Sequence, residues 1–135
     1  MSDLVIFDTS VLIDNLRTGR HQRRIEATTG LIRSSAVVLA ELWRGVTKPA
    51  EREFLRTLQR NHPVLTPSEK NWMESGQVLA KIRTDQGFGA DKLRNLHFDL
   101  LIALTARSHG ARLITSDQID FEMINRYRKF VLEIW

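Results

Sequence analysis

Leu4-Val5-Ile6-Phe7-Asp8-Thr9-Ser10-Val11-Leu12-Ile13-Asp14 is the stretch on which the reading of this chain turns. Four consecutive apolar residues without alternation describe a short strand covered on both faces, as in a parallel sheet. The run stops at an acid, Asp8. Thr9 or Ser10 can then cap a helix, and Gly19 marks its exit. A buried strand that ends on a carboxylate and passes directly into a helix sets the pattern for the rest.

That pattern repeats downstream. A second helix is expected from His21 to Ala27, and a short strand begins at Leu31-Ile32. Ser35 then opens an apolar stretch from Ala36 to Trp43, with Gly45 at its end. Pro49 starts a charged helix with Phe54, Leu55 and Leu58 on one face. Val64-Leu65, between Pro63 and Pro67, is a minimal strand. Ser68 with Glu69 through Thr84 reads as a long amphipathic helix whose buried stripe is Trp72, Val78, Leu79 and Ile82. Gln86 to Asp91 reads as a glycine-containing loop, and Asn95 as the cap of a helix from Leu96 to Ser108. Arg112–Thr115 is a strand, Gln118 to Arg126 a short helix, and Phe130 to Ile134 a final strand. Strands alternating with helices predict an α/β fold, a three-layer α/β/α sandwich around a mainly parallel sheet of about five strands.

The chain has 135 residues, which suits a single domain spanning 1–135. It has no cysteine, so disulfides and thiolate metal sites are excluded. Asp3 stands where a secretory leader would carry basic residues, and no apolar stretch approaches the ~20 residues of a membrane span. A soluble, cytoplasmic protein is the simplest expectation. The net charge is +4, and 15 of the 20 basic residues are arginine, whose planar fork suits phosphate oxygens. An ordinary basic surface accounts for the same composition equally well.

Four acids stand apart by their settings. Asp8 follows the first strand. Glu41 lies in Ser35-Ala36-Val37-Val38-Leu39-Ala40-Glu41-Leu42-Trp43, and Asp99 in Leu96-His97-Phe98-Asp99-Leu100-Leu101-Ile102-Ala103-Leu104. Asp117 comes two residues after the strand that ends in Thr115. Acids with apolar neighbours on both sides tend to sit near a core, where an unpaired carboxylate is costly. Asp8 and Asp117 also follow the carboxyl ends of predicted parallel strands, the edge where open α/β sheets place ligands. A carboxylate set without cysteine or paired histidines describes hard oxygen ligation, hence Mg²⁺ or Mn²⁺.

Each acid alone has a plainer reading. Asp8 and Asp117 can cap helices, Glu41 can lie at a helix's solvent edge, and Asp99 can balance a helix dipole. Glu133, also among apolar residues, is turned outward by strand alternation. His21, His62, His97 and His109 are scattered, and none is assigned to catalysis.

Taken in order, the motifs resemble the PIN-domain ribonucleases, and within them the small VapC-type toxins of toxin–antitoxin systems. The resemblance rests on the opening strand with Asp8-Thr9-Ser10-Val11-Leu12-Ile13-Asp14, and on the serine, apolar run and Glu-Leu from Ser35 to Leu42. It continues in Asp99-Leu100-Leu101-Ile102-Ala103-Leu104-Thr105-Ala106 and in Leu113-Ile114-Thr115-Ser116-Asp117-Gln118-Ile119-Asp120-Phe121. It implies an Mg²⁺- or Mn²⁺-dependent endoribonuclease with catalytic Asp8, Glu41, Asp99 and Asp117. Asp8, Asp99 and Asp117 would hold the metal, and Glu41 would complete the pocket. Ser10 is a possible support, with helix capping as its other role. Asp120 lies close to Asp117, but the family's spacing from the threonine selects Asp117. The family fold would gather these acids where the strand carrying Asp8 lies beside the strand before Asp117.

The resemblance further implies an RNA substrate, a VapB-like antitoxin as partner and a homodimer, for which Phe54, Leu55 and Trp72 are interface candidates. Three other readings compete. A housekeeping RNA-processing nuclease would use the same chemistry. A non-catalytic RNA-binding domain gains nothing from a negative pocket. A phosphoaspartyl phosphatase, suggested by Val5-Ile6-Phe7-Asp8-Thr9, would want a second acid where Ser10 stands.

Overall fold

In the computed structural model, which describes residues 3–135, the first strand β1 (Leu4–Phe7) lies at the centre of the sheet. The helices α1 (Thr9–Thr18) and α2 (Gln22–Ala27) lead to β2 (Leu31–Ser35) on one side of it. Next come α3 (Ala36–Gly45), α4 (Pro49–Asn61) and the two-residue edge strand β3 (Val64–Leu65). The long helices α5 (Glu69–Gln86) and α6 (Ala90–Ser108) carry the chain back across the sheet. β4 (Arg112–Thr115) then pairs with the other side of β1, followed by α7 (Gln118–Tyr127) and β5 (Val131–Ile134). The strand order is β3-β2-β1-β4-β5, and every pairing is parallel.

Successive strand residues point to opposite faces, so burial of consecutive residues reports cover on both sides. Val5, Ile6 and Phe7 are all buried, and so are Leu113, Ile114 and Thr115. Helices therefore flank the parallel sheet on both faces, which is the three-layer sandwich expected. One helix is itself interior: α6 is buried at every position from Leu100 to Ala106. No helix among the described residues is long and apolar enough to cross a membrane.

Gly30 sets the entry to β2. Its φ is +108°, and a Cβ there would stand 2.5 Å from the carbonyl oxygen of Asp3. Only glycine lets the turn come this close to β1.

Several local expectations are corrected. Asp8, not Thr9 or Ser10, occupies the N-cap position of α1; both hydroxyl residues lie inside the first turn. The expected loop from Gln86 to Asp91 shrinks to residues 87–89, because α5 runs to Gln86 and closes on Gly87 at φ +68°. Asn95 is therefore no cap. It lies within α6, whose N-cap is Gly89. The opening turns of α6 carry charges that read as loop, although Leu93, Leu96 and Leu100 already keep helical spacing.

The stripe of α5 is also shifted in phase. Val78 and Ile82 are buried as expected, but Trp72 is 49% exposed. Asn71 and Ser75 take the inward positions instead. Asn71 forms a reciprocal cap with Ser68 and donates to Ser108 Oγ, while Ser75 bonds to the carbonyl of Trp72 and to His97. Those partners satisfy polar groups that would otherwise be costly to bury.

Candidate active site

The chain runs outward from β1 to β2 and β3, then returns to place β4 on the opposite side of β1. The gap between β1 and β4 is thus a topological switch point, where the loops leaving two neighbouring strands diverge and open a crevice. Asp8 and Asp117 both leave the sheet there.

Asp8 is held from several directions. Its amide donates to the Ile114 carbonyl at 2.8 Å, extending the ladder one step past β1. Its side chain, only 4% exposed, makes no capping bond to α1 despite its position. Instead Oδ2 accepts from Ser10 Oγ at 2.8 Å and from Thr115 Oγ1 at 2.9 Å. Both hydroxyls are themselves fixed, since Ser10 Oγ accepts from the Ser116 amide and Thr115 Oγ1 from the Asp117 amide. Each hydroxyl has one proton, and both protons go to Asp8. The 3.2 Å approach of Ser10 to Thr115 is then a contact rather than a further donation.

Glu41 projects from α3, whose N-terminus is capped by Ser35 Oγ accepting from the Val38 amide. Its Oε1 accepts from Thr9 Oγ1 at 2.9 Å. Burial raises the Glu41 pKa above the usual carboxylate range; the Thr9 hydrogen bond opposes the shift, and the charge of Asp8 adds to it.

Asp99 comes from the middle of α6, beside the buried run that begins at Leu100. It has no ion pair and no side-chain hydrogen bond among the described residues. Its pKa is pushed up to about 8, first by burial and then by the charges of Asp8, Asp117, Glu41 and Asp120. A carboxyl group so placed stays protonated at neutral pH unless a cation joins it.

Asp117 caps α7, its Oδ1 accepting from the Asp120 amide at 3.3 Å. Capping and site membership coexist here, because the same carboxylate faces Asp99. Burial raises its pKa, with the Asp120 charge adding and that backbone hydrogen bond opposing. Asp120, one turn on, completes the group: Asp99, Asp117 and Asp120 each offer an oxygen, all within 4.8 Å of one another. Lys92 from α6 reaches Asp120, with Nζ 2.8 Å from both oxygens.

The four acids picked out in the sequence thus meet at one edge of the sheet, with Asp120 among them and Ser10 bonded to Asp8 rather than capping a helix. Thr9, Thr115 and Lys92 escaped the sequence reading. Thr115 alone left a sequence signal, a hydroxyl closing the strand before Ser-Asp.

The chemistry of the donors fits a divalent cation. All are hard carboxylate oxygens, several are largely buried, and Lys92 is the one basic side chain paired with any of them among the described residues. Repulsion among so many acids is relieved by protonation, as at Asp99, or by a cation in their midst. Beside the acids runs an apolar groove of about 350 Å³, lined by Glu41, Arg44, Trp72 and Phe98 among others.

Similar folds occur among solved structures. A chain in the crystal structure of VapBC2 from Rickettsia felis bound to a promoter DNA fragment is 23% identical, with a TM-score of 0.71 and 98% of each chain covered. A chain of DNA-bound VapBC from Salmonella typhimurium is 22% identical at a TM-score of 0.74, covering 100% of this chain and 99% of that one. VapBC-1 from nontypeable Haemophilus influenzae gives 22% identity, a TM-score of 0.69 and 98% coverage of both chains. No curated protein matches the sequence. The PIN domain model matches residues 5–126, from the strand before Asp8 to the helix that carries Asp120, and the chain belongs to the PIN domain family.

Proposed function

We propose that this chain, a single domain over residues 1–135, is an Mg²⁺- or Mn²⁺-dependent endoribonuclease and the toxic member of a VapBC-type toxin–antitoxin pair. The observation that carries the reading is the cluster of Asp99, Asp117 and Asp120 at the β1–β4 switch point, with the charges of Asp8 and Glu41 also bearing on Asp99 and Lys92 paired only with Asp120. A binding domain for a polyanion gains nothing from such a cluster.

In this reading Asp8, Asp99 and Asp117 hold the metal. When bound, the metal stabilises charge on the scissile phosphate and acidifies a water molecule. Asp8 is the fixed element, since two hydroxyls hold its carboxylate and the β4 ladder holds its backbone. Glu41 commits Oε1 to Thr9, and its raised basicity would suit the remaining oxygen to receive a proton from water. Arginines on the basic surface draw in the RNA phosphates.

Proteins of similar fold occur in VapBC complexes, and another in a toxin–antitoxin complex from Klebsiella pneumoniae. The partner of this chain is accordingly a small VapB-like antitoxin, and the protein acts in the cytoplasm. An arginine from the antitoxin can pair with two of the carboxylates through its fork and exclude the metal.

The test is RNA cleavage by the purified protein. Cleavage should require Mg²⁺ or Mn²⁺, stop in excess EDTA and vanish in Asp8→Asn. Cleavage unchanged by EDTA rejects the mechanism. Expression in a bacterium should arrest growth unless the adjacent antitoxin gene is co-expressed. An active enzyme whose expression leaves growth and RNA intact would be a housekeeping nuclease instead.

A further inference from the structure

Lys92 stands in the opening turn of α6 and reaches across to α7, 28 residues further along the chain, where Nζ lies 2.8 Å from both oxygens of Asp120. The Asp120 side chain is only 17% exposed, whereas that of Lys92 is 40% exposed, so the ammonium sits at the rim and the carboxylate points inward. The ammonium also lies 5.8 Å from the centre of the Phe88 ring, whose face attracts a cation. Phe88 is itself packed against the core. The lysine is therefore steered from two sides onto one carboxylate.

That carboxylate is the one member of the Asp99–Asp117–Asp120 group whose charge is neutralised within the protein. The other four acids of the site make no ion pair among the described residues, although the charge of Arg44 bears on Glu41. Five acids around a crevice offer enough oxygens for two hard cations, the arrangement that clamps both the attacking and the leaving oxygen in two-metal sites. A second ion seated between Asp117 and Asp120 would meet the lysine charge at close range. It would also compete with the ammonium for the Asp120 lone pairs.

We infer that Lys92 is a tethered counter-ion standing in for a second metal, limiting the centre to one divalent ion with Asp120 outside its ligand set. The inference rests on the metal-dependent reading above. Asp8, Asp99 and Asp117 remain unpaired for that ion, while Lys92 supplies the other positive charge without leaving the chain. A lysine placed this way is a monovalent cation of fixed stoichiometry, insensitive to chelators and to the metal concentration of the medium.

The test is Mn²⁺ binding to the full chain, by calorimetry and by the spin-resonance signal of free Mn²⁺. Wild type should bind one ion. Lys92→Met should bind a second, or tighten a weak second site at least tenfold, and Lys92→Gln should do the same. Lys92→Arg should stay at one ion, and adding Asp120→Asn to Lys92→Met should remove the second. Two ions in wild type would overturn the inference. So would a Lys92→Met protein that melts earlier yet binds Mn²⁺ as wild type does, since Lys92 would then be a structural ion pair only. If wild type binds no Mn²⁺ and RNA cleavage survives EDTA, the metal-dependent reading itself fails. One-ion binding in every variant, with cleavage still metal-dependent, removes the Lys92 inference alone.

Discussion

Thr115 Oγ1 donates to Asp8 Oδ2 at 2.9 Å, joining the ends of β4 and β1 across 107 residues of chain. This hydroxyl is the last side chain of β4 and is fully buried. Thr115→Val keeps the shape and removes the donor, leaving Asp8 with Ser10 alone and the Asp117 amide without its acceptor. Metal affinity and kcat should fall about 10–100-fold, the usual cost of losing a hydrogen bond that orients a metal ligand. Stability in EDTA should fall by about 1–3 kcal/mol. Metal titration and thermal melts measure the two effects separately. A variant as active and as tight as wild type would show that Asp8 needs no support from β4.

Asp99 makes the metal-free protein sensitive to pH. Its folded pKa, about 8, lies above the ordinary value of 3.8, so the folded state holds a proton that the unfolded chain releases. The stability contributed by the neutral acid is complete below about pH 4 and is lost as pH rises through about 8. In EDTA, wild type should therefore lose up to about 1.4 kcal/mol per pH unit relative to Asp99→Asn within that window. Urea melts across pH, compared between the two proteins, test the sign. Parallel curves would contradict it. Metal binding at pH 7 should also release a proton, detectable by calorimetry in buffers of different ionisation enthalpy.

Asp117 and Asp120 should differ in consequence although they lie one helical turn apart. Asp117→Asn removes an uncompensated carboxylate facing Asp99, whereas Asp120→Asn removes one already neutralised by Lys92. Cleavage should drop by orders of magnitude in the first and by about tenfold or less in the second, magnitudes set by lost charge stabilisation. The reverse ranking would make Asp120 the principal acid of α7.

The proposed homodimer narrows to one of its three interface candidates. Leu55 is fully buried and Phe54 packs against the core, while Trp72 remains 49% exposed beside Phe98, itself 39% exposed. A Trp72→Glu protein should be monomeric by light scattering at micromolar concentration if this face joins two copies. Equal masses for wild type and variant would remove the face from consideration.

Much of the fold could be read from the sequence because its strands are fully buried. A run such as Leu4–Phe7 has no amphipathic phase to misjudge, and an acid ending it stands out. The phase of α5 is not legible in this way, because Asn71 and Ser75 face inward on partners as distant as Ser108 and His97. No local pattern announces that a polar residue has found such a partner. The same limit applied at the site. Asp8, Glu41, Asp99 and Asp117 were visible through their apolar surroundings, but Lys92 and Thr115 act through contacts made only by the folded topology. Spacing from the threonine selects Asp117 over Asp120, but adjacency in the sequence says nothing about which carboxylate a distant lysine has claimed.

The strand order also bears on timing. β1 is made first yet sits in the middle of the sheet, and its neighbour β4 arrives more than a hundred residues later. Until Arg112–Thr115 has been synthesised and docked, Asp8 has neither its ladder bond to Ile114 nor the hydroxyl of Thr115, and Asp117 and Asp120 are not in place beside Asp99. Contacts of such long sequence separation form late in folding. On the proposed function, a nascent or prematurely stalled chain is therefore inert toward RNA, including the messenger and ribosome from which it emerges, until translation of this domain is nearly complete.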